Sequence, residues 1–586
     1  MRKQFKLSIY LLSVAGALGV APYLMAVDAI SQTFFSVRPQ YQSMSPELVS
    51  HFRGERSHAR QDGIGGALQF AFFGGKSTSG DCSEDSKLGK YFMPFGKSTL
   101  VVGEPNSDAA NDGTIDVLAS YFGVLTSTMN FADFAYNAFS NLTFQSTISF
   151  APVQTVFGLG LSYRQSFAQE DDNKGWFVSA SAPIMRVKND LGFEETIINA
   201  GAGATPDGFA ATMQSALQGD PVLNWGAMTT TGSFAYPGIE GDGLKRFEYG
   251  KIATPNSTNS SSSDSCNSNC SVRTDCNGAL TKWGLADIEL KIGYESVREE
   301  KCYSEGYIGA VIPTGNKPTG EFIFEPIVGN NKHFGVMIGG SCGFEVWHSD
   351  ENASCVWFEC DADGRYLFAN TQKRSFDLMD KQWSRYMWVY PNSSATPIAD
   401  IQPGINFFTK DMRVTPRGAV DCNTALVYKG EVYNMEVGYN FFARCAEKVE
   451  LCPGWQVGPG IAGFNQVNVL NDDARINSAD VGKVGTASNA TISKFNGVAL
   501  IDTEDTTALI NGTHRVIFNA IKESDINLRS AAHPAVITNT FYGSAGARWD
   551  DKEYPPFVGV GGSYEFSWDN TGLNRWLVWG KFGFSF

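Results

Sequence analysis

The stretch RWLVWGKFGFSF, Arg575–Phe586, closes the chain and decides how the rest of it reads. Counted back from the end, Phe586, Phe584, Phe582, Val578 and Trp576 share one face. Ser585, Gly583, Lys581 and Arg575 share the other. Successive side chains of a strand point to opposite faces, so this period of two predicts an extended segment with one apolar and one polar wall.

The same alternation recurs upstream. Ala286, Ile288, Leu290, Ile292 and Tyr294 alternate with Asp287, Glu289, Lys291 and Gly293. Tyr433, Met435, Val437, Tyr439 and Phe441 oppose Asn434, Glu436, Gly438, Asn440 and Arg444, with Phe442 the one exception. Phe334–Val346 and Val558–Trp568 repeat the pattern, with glycine frequent on the polar side. So do Leu142–Phe150, Phe157–Phe167 and Trp176–Ile184. These strands exceed the ~5–6 residues usual in globular sheets and match the ~9–11 tilted residues that cross a bilayer. Trp568, Trp549, Tyr294 and Trp347 end apolar faces, as interfacial aromatic girdles do. A soluble sandwich can alternate too, but length and girdles favour an all-β, transmembrane antiparallel barrel.

The chain of 586 residues has 46 Lys plus Arg against 61 Asp plus Glu, a formal charge of −15. That balance argues against nucleic-acid partners, which require a basic field. Its 43% apolar and 13% aromatic content is ample for a packed structure. Arg2, Lys3 and Lys6 precede an apolar run, Leu7–Ala21, of signal-peptide length, and Val27-Asp28-Ala29 fits a cleavage site. Residues 1–29 are therefore expected to be removed on export. Nothing after Ala29 supplies the ~18 uncharged apolar residues of a spanning helix.

With its signal peptide and an amphipathic last strand ending in Phe586, the chain resembles Gram-negative outer-membrane β-barrel proteins of porin-like type. Trp576, Phe582, Phe584 and Phe586 resemble their assembly signal. The resemblance implies outer-membrane lipids and the barrel-assembly machinery as partners, short periplasmic turns and long outer loops. Counting back on that basis gives about 14 strands, range 12–16, with residues 142–586 as the barrel. The least regular of them are 356–369, 383–390 and 404–412. Long outer loops fall at 188–284 and 445–536, the first containing the Ser/Asn-rich Asn256–Ser271 and a short helix over Asp207–Leu217. Residues 30–141 read as an N-terminal plug, a small periplasmic domain or two further strands. The first arrangement is architecturally similar to the fatty-acid-transporter type of barrel.

No catalytic, cofactor-binding or metal-binding residue is assigned. Gly339-Gly340-Ser341-Cys342-Gly343 matches a nucleophile elbow, but alternation runs straight through Ser341, whereas an elbow needs a sharp strand-to-helix turn. Asp361-Ala362-Asp363-Gly364 lacks the remaining acids of a calcium loop and reads as a turn. Eleven cysteines suit an oxidising compartment, and Cys355/Cys360 and Cys445/Cys452 are close enough in sequence for local disulfides.

The polar faces place Asp287, Glu289, Lys291, Glu295, Glu345, Glu436, Arg444, Glu565, Arg575 and Lys581 in the lumen. Mixed in sign with an acidic surplus, they suit small polar solutes and favour cations mildly. The function expected is passive diffusion through an outer-membrane channel. The alternatives are gated transport of hydrophobic or specific ligands, should residues 30–141 plug the pore, and a surface adhesin or structural envelope protein. A homo-oligomer is compatible with each.

Overall fold

The computed structural model describes residues 31–39, 64–78, 87–103, 114–124, 144–168, 174–200, 210–219, 246–253, 273–274, 278–299, 301–349, 354–392, 402–462, 490–494, 518–549, 551–567 and 571–586. The expected signal peptide, Trp568 and Asn256–Ser271 lie outside them.

Twelve antiparallel strands form a ring in which each pairs with its neighbours in sequence. They are β1 Ile64–Ser77, β2 Val153–Ala168, β3 Gly175–Asp190, β4 Ile288–Glu299, β5 Cys302–Ile312 and β6 Gly335–Ser349. The circuit continues with β7 Ser354–Leu367, β8 Arg417–Lys429, β9 Tyr433–Arg444, β10 Val536–Arg548, β11 Pro556–Ser567 and β12 Arg575–Ser585. Two pairings complete it. The first and last strands join from Ala67 with Ser585 to Ser77 with Arg575, and β3 meets β4 from Gly175 with Glu295 to Ser181 with Glu289. The upper half of β3 pairs instead with Leu280–Leu285, an outside strand that precedes β4.

Alternation sets the two walls. In β9, Met435 and Val437 face outward, Val437 keeping 71% of its surface exposed, while Glu436, Asn440 and Arg444 are buried inward. Phe442 holds its inward place in the register, 3% exposed. Inward glycines accommodate rings from adjacent strands: a Cβ on Gly438 would come 2.1 Å from the Tyr542 ring, and one on Gly561 2.5 Å from Trp579. The glycine-rich polar faces thus let aromatic rings lie flat against the inner wall.

The count is twelve, within the expected range, because three expected strands leave the barrel and one joins it. Gln145–Phe150 alternates but pairs with Thr99–Gly103 and Phe193–Asn199, burying Ile148 and Phe150 in protein rather than lipid. The 383–390 stretch is a 3-10 turn, Ser384–Tyr386, followed by a short strand, Trp388–Tyr390. The 404–412 stretch begins as a helical turn, Gly404–Phe408. The gain, β1, carries Leu68, Phe70 and Phe72 outward but Ala71 and Phe73 inward. Apolar residues on both faces hide its period.

The turns β2–β3, β4–β5, β6–β7, β8–β9 and β10–β11, all short, fall at one rim, and the long connections, with the seven-residue one between β11 and β12, lie at the other. There the described parts of the connections fold together into a cap of small sheets. Its core includes Tyr91, Phe122, Met213, Leu217, Trp383 and Phe408. Met213–Gln218 is the expected outer helix, started by the Thr212 side chain, which accepts a bond from the Ser215 amide. The Asp207–Phe209 part of that expectation lies outside the described residues.

The outward face of β9 meets hydrocarbon, so Val437→Lys should destabilise the barrel by ~2–4 kcal/mol, the cost of a lysine near the midplane. Urea unfolding in lipid vesicles measures it; an unchanged midpoint would place Val437 outside the membrane.

Candidate functional site: an occupied lumen

Residues 31–39 run as an extended segment from the cap into the barrel mouth. In the cap, the Gln32 amide donates to Tyr91 O at 2.9 Å and the Thr33 amide to Ser530 O at 2.9 Å. The Phe34 ring carries the Arg374 guanidinium at 3.1 Å. Two residues later, Arg444 donates to Ser36 Oγ at 3.0 Å and Ser36 O at 2.8 Å.

Arg38 then enters the lumen. Its guanidinium lies 2.6 Å from Asp421 and 3.5 Å from Glu565, donates to Asn440 Oδ1 at 3.0 Å, and sits 4.3 Å from the centre of the Phe442 ring. Arg575 binds Glu565 and donates to the Arg38 carbonyl at 2.9 Å. Side chains of Arg38, Asp421 and Glu565 are each at most 4% exposed. A buried charge this poor in water is tolerable only when paired, and removing one partner of such a pair costs about 3–5 kcal/mol.

A second group lies on β4 and β7. Arg365 binds Glu289 and Asp363, both at 2.9 Å, and Lys291 stands 3.7 Å from Glu289. Toward the short-turn rim, Arg164 reaches across from β2 to Glu295 at 2.5 Å and Glu305 at 2.7 Å, its guanidinium 3.5 Å from the Phe177 ring centre. Ser341 Oγ donates to Glu305 at 2.7 Å, as an ordinary inward residue of a straight strand.

The remaining residues expected in the lumen are distributed around these groups. Glu436 accepts from Tyr542 at 3.0 Å, and Lys581 is 3% exposed on the inner face. Glu345 sits at the short-turn rim, 3.6 Å from Lys301. Asp287 lies in the break before β4 and holds the connection between β5 and β6, accepting from the Asn330 amide at 2.7 Å. The lumen residues that alternation does not single out are mostly the cations that offset the acidic surplus: Arg38, Arg164 and Arg365. Arg164 lay within an alternating stretch and was legible; Arg38 carried no sequence signal. Asp361–Gly364, read as a turn, lies within β7. Among the described residues no His/Cys/Asp/Glu group could hold a metal ion.

The two expected local disulfides do not form. Cys355 and Cys360 are five apart on one strand and so face opposite walls; Cys355 instead accepts from Trp357 Nε1 at 3.2 Å. Cys445 and Cys452 are likewise unbridged. Cys266, Cys270 and Cys276 lie outside the described residues. Trp576, Phe582 and Phe584 of the expected assembly signal face outward.

A closed antiparallel ring, apolar outside and ionic within, defines a transmembrane β-barrel protein. No family model matches the chain, and no curated protein does. Solved structures that align with it include an outer membrane channel from Pseudomonas putida F1, at 7% identity over 89% of this chain and 96% of that one, TM-score 0.33. The transport unit of the autotransporter AIDA-I from Escherichia coli aligns at 7% identity over 88% and 89%, TM-score 0.21. A Pseudomonas aeruginosa FadL homologue aligns at 8% identity over 89% of each chain, TM-score 0.22.

Where cap meets barrel, two imidazoles are held neutral. Burial lowers His333 to about 4, and burial together with the Arg444 charge holds His533 well below its ordinary value. The unfolded chain binds their protons first, so the stability they confer is intact above ~6.5 and is lost as pH falls from there toward 4. Thermal unfolding followed by tryptophan fluorescence should show the cap melting progressively lower over that range. Replacing both histidines with glutamine should reduce the dependence; a slope identical to the parent's would contradict the assignment.

Proposed function

We propose that this protein is an outer-membrane channel for small polar solutes, held shut by its own N-terminal segment. The single observation that carries the reading is Arg38, placed in the barrel mouth between Asp421 and Glu565 by an extended segment anchored in the cap. An always-open diffusion pore would leave such acids to water. Here they are buried against a tethered cation, which favours the gated form of transport. The wall beyond is polar and ionic, which suits polar rather than hydrophobic cargo.

In this reading the short-turn rim faces the periplasm and the cap faces outward. The exported chain reaches the barrel-assembly machinery through its last strand, and outer-membrane lipids cover the apolar wall. The folded cap also supports a surface-binding role alongside transport, since its packed aromatic core presents a stable outer domain.

The test is planar-bilayer recording of the refolded protein. The parent should be mostly closed, and Arg38→Ala should raise open probability on the order of ten-fold or more, because the bridge it removes contributes to the closed state alone. Deleting residues 31–39 should do the same. Equal, negligible conductance from all three proteins would overturn the channel reading.

A further inference from the structure

The barrel register aligns polar residues across ten consecutive strands. Ser77 is paired with Arg575, Arg575 with Glu565, Glu565 with Thr540, and Thr540 with Asn440. From there Asn440 is paired with Asn423, Asn423 with Asp361, and Asp361 with Ser341. Ser341 is then paired with Glu305, and Glu305 with Glu295. Every one of these side chains lies on the inner face.

Such a row runs perpendicular to the strands, with neighbours ~4.8 Å apart, and strands of a closed barrel tilt by ~35–45°. The row therefore winds down the lumen as it goes round. Its ends show this directly: Ser77 is the last residue of β1 at the capped rim, while Glu295 pairs with Gly175, the first residue of β3 at the short-turn rim. One unbroken line of polar side chains connects the two mouths.

The two ends of the line are occupied by cations of the chain itself. Arg38 covers Glu565 and Asn440, and Arg164 covers Glu305 and Glu295. Between them the line presents oxygens. Thr540 Oγ1 and Asn423 Oδ1 are buried, in residues 1% and 3% exposed, without a hydrogen-bond partner among the described residues. Burying such an oxygen unsatisfied is costly, and a cation or its hydration water would recover that cost. Asp361 supplies the negative charge beside them.

We infer that the stretch of this row from Glu565 to Ser341, between the fixed cations Arg575 and Arg164, is the conduction track for small monovalent cations, and that Arg38 is a tethered cation resting on it. Hydroxyl, amide and carboxylate oxygens in sequence replace a hydration shell stepwise, as a cation path requires. The inference rests on the channel reading and adds to it the route, the solute class and the selectivity residues. Arg38 then blocks by occupancy: it satisfies the same oxygens that a passing ion would use, and its strap keeps it from leaving with the current.

The experiment records single channels under a KCl gradient in the Arg38→Ala background. The reversal potential should report cation preference, and adding Asp361→Asn should lower the K+ to Cl− permeability ratio at least about three-fold. Thr540→Val, which keeps side-chain shape and removes the oxygen, should lower K+ conductance with barrel folding intact by heat-modified gel mobility. Arg38→Ala channels that conduct with a permeability ratio and K+ conductance unmoved by both changes would overturn the track while leaving the channel standing. Silence of Arg38→Ala and of the 31–39 deletion alike would instead remove the channel reading beneath it.

Discussion

Hydrocarbon offers no partner to a backbone amide or carbonyl, so a sheet that crosses a membrane must have no free edge. The meeting of β3 with β4 satisfies that constraint, and everything else in the molecule follows from it. Once the ring is closed, alternation has only one meaning: odd and even residues face lipid or lumen. Once the strands tilt, residues in register lie on a helix around the lumen rather than on a flat hoop. Connections have only two places to go, and this chain puts five short ones at one rim and uses the long ones to build a domain at the other.

The lumen answers a second constraint. A ring of twelve strands with inward charges cannot leave them buried and unmatched. Four inward acids near the mouth, Glu289, Asp363, Asp421 and Glu565, are balanced by Arg38, Arg365, Arg575 and Lys291. Only one of those cations, Arg38, is not part of a strand. It comes from the extended segment 31–39, outside the wall, and without it Asp421 and Glu565 would lose their shared partner. The inner wall and the segment lying in its mouth are thus held by the same ion pairs.

How far the sequence reveals this depends on what each feature asks of it. Strands β9, β11 and β12 are visible because lipid on one side and ions on the other impose opposite chemistry on adjacent residues. Gln145–Phe150 shows the same period for a different reason, since a protein core selects apolar residues as lipid does. The first strand is hidden by Phe73, which packs inward: a Cβ on Gly158 would lie 2.4 Å from its ring. In the lumen, Glu436 or Lys581 follows from parity alone. Arg38 does not, because its partners lie hundreds of residues away and only the closed register brings Asp421 and Glu565 to it. The cross-strand row is invisible for the same reason, being a property of nine pairings at once.

Closure is the claim on which the account stands, and it can be tested without reference to transport. Ile292 and Val178 are direct partners across the closing seam, both on the outer wall. In a chain whose native cysteines are replaced, Ile292→Cys with Val178→Cys should form an intramolecular disulfide under mild oxidation in lipid vesicles, seen by mass spectrometry of the linked peptides. Two thiols that each react with a small membrane-permeant reagent yet never join would mean that the sheet is open, and the account would fail.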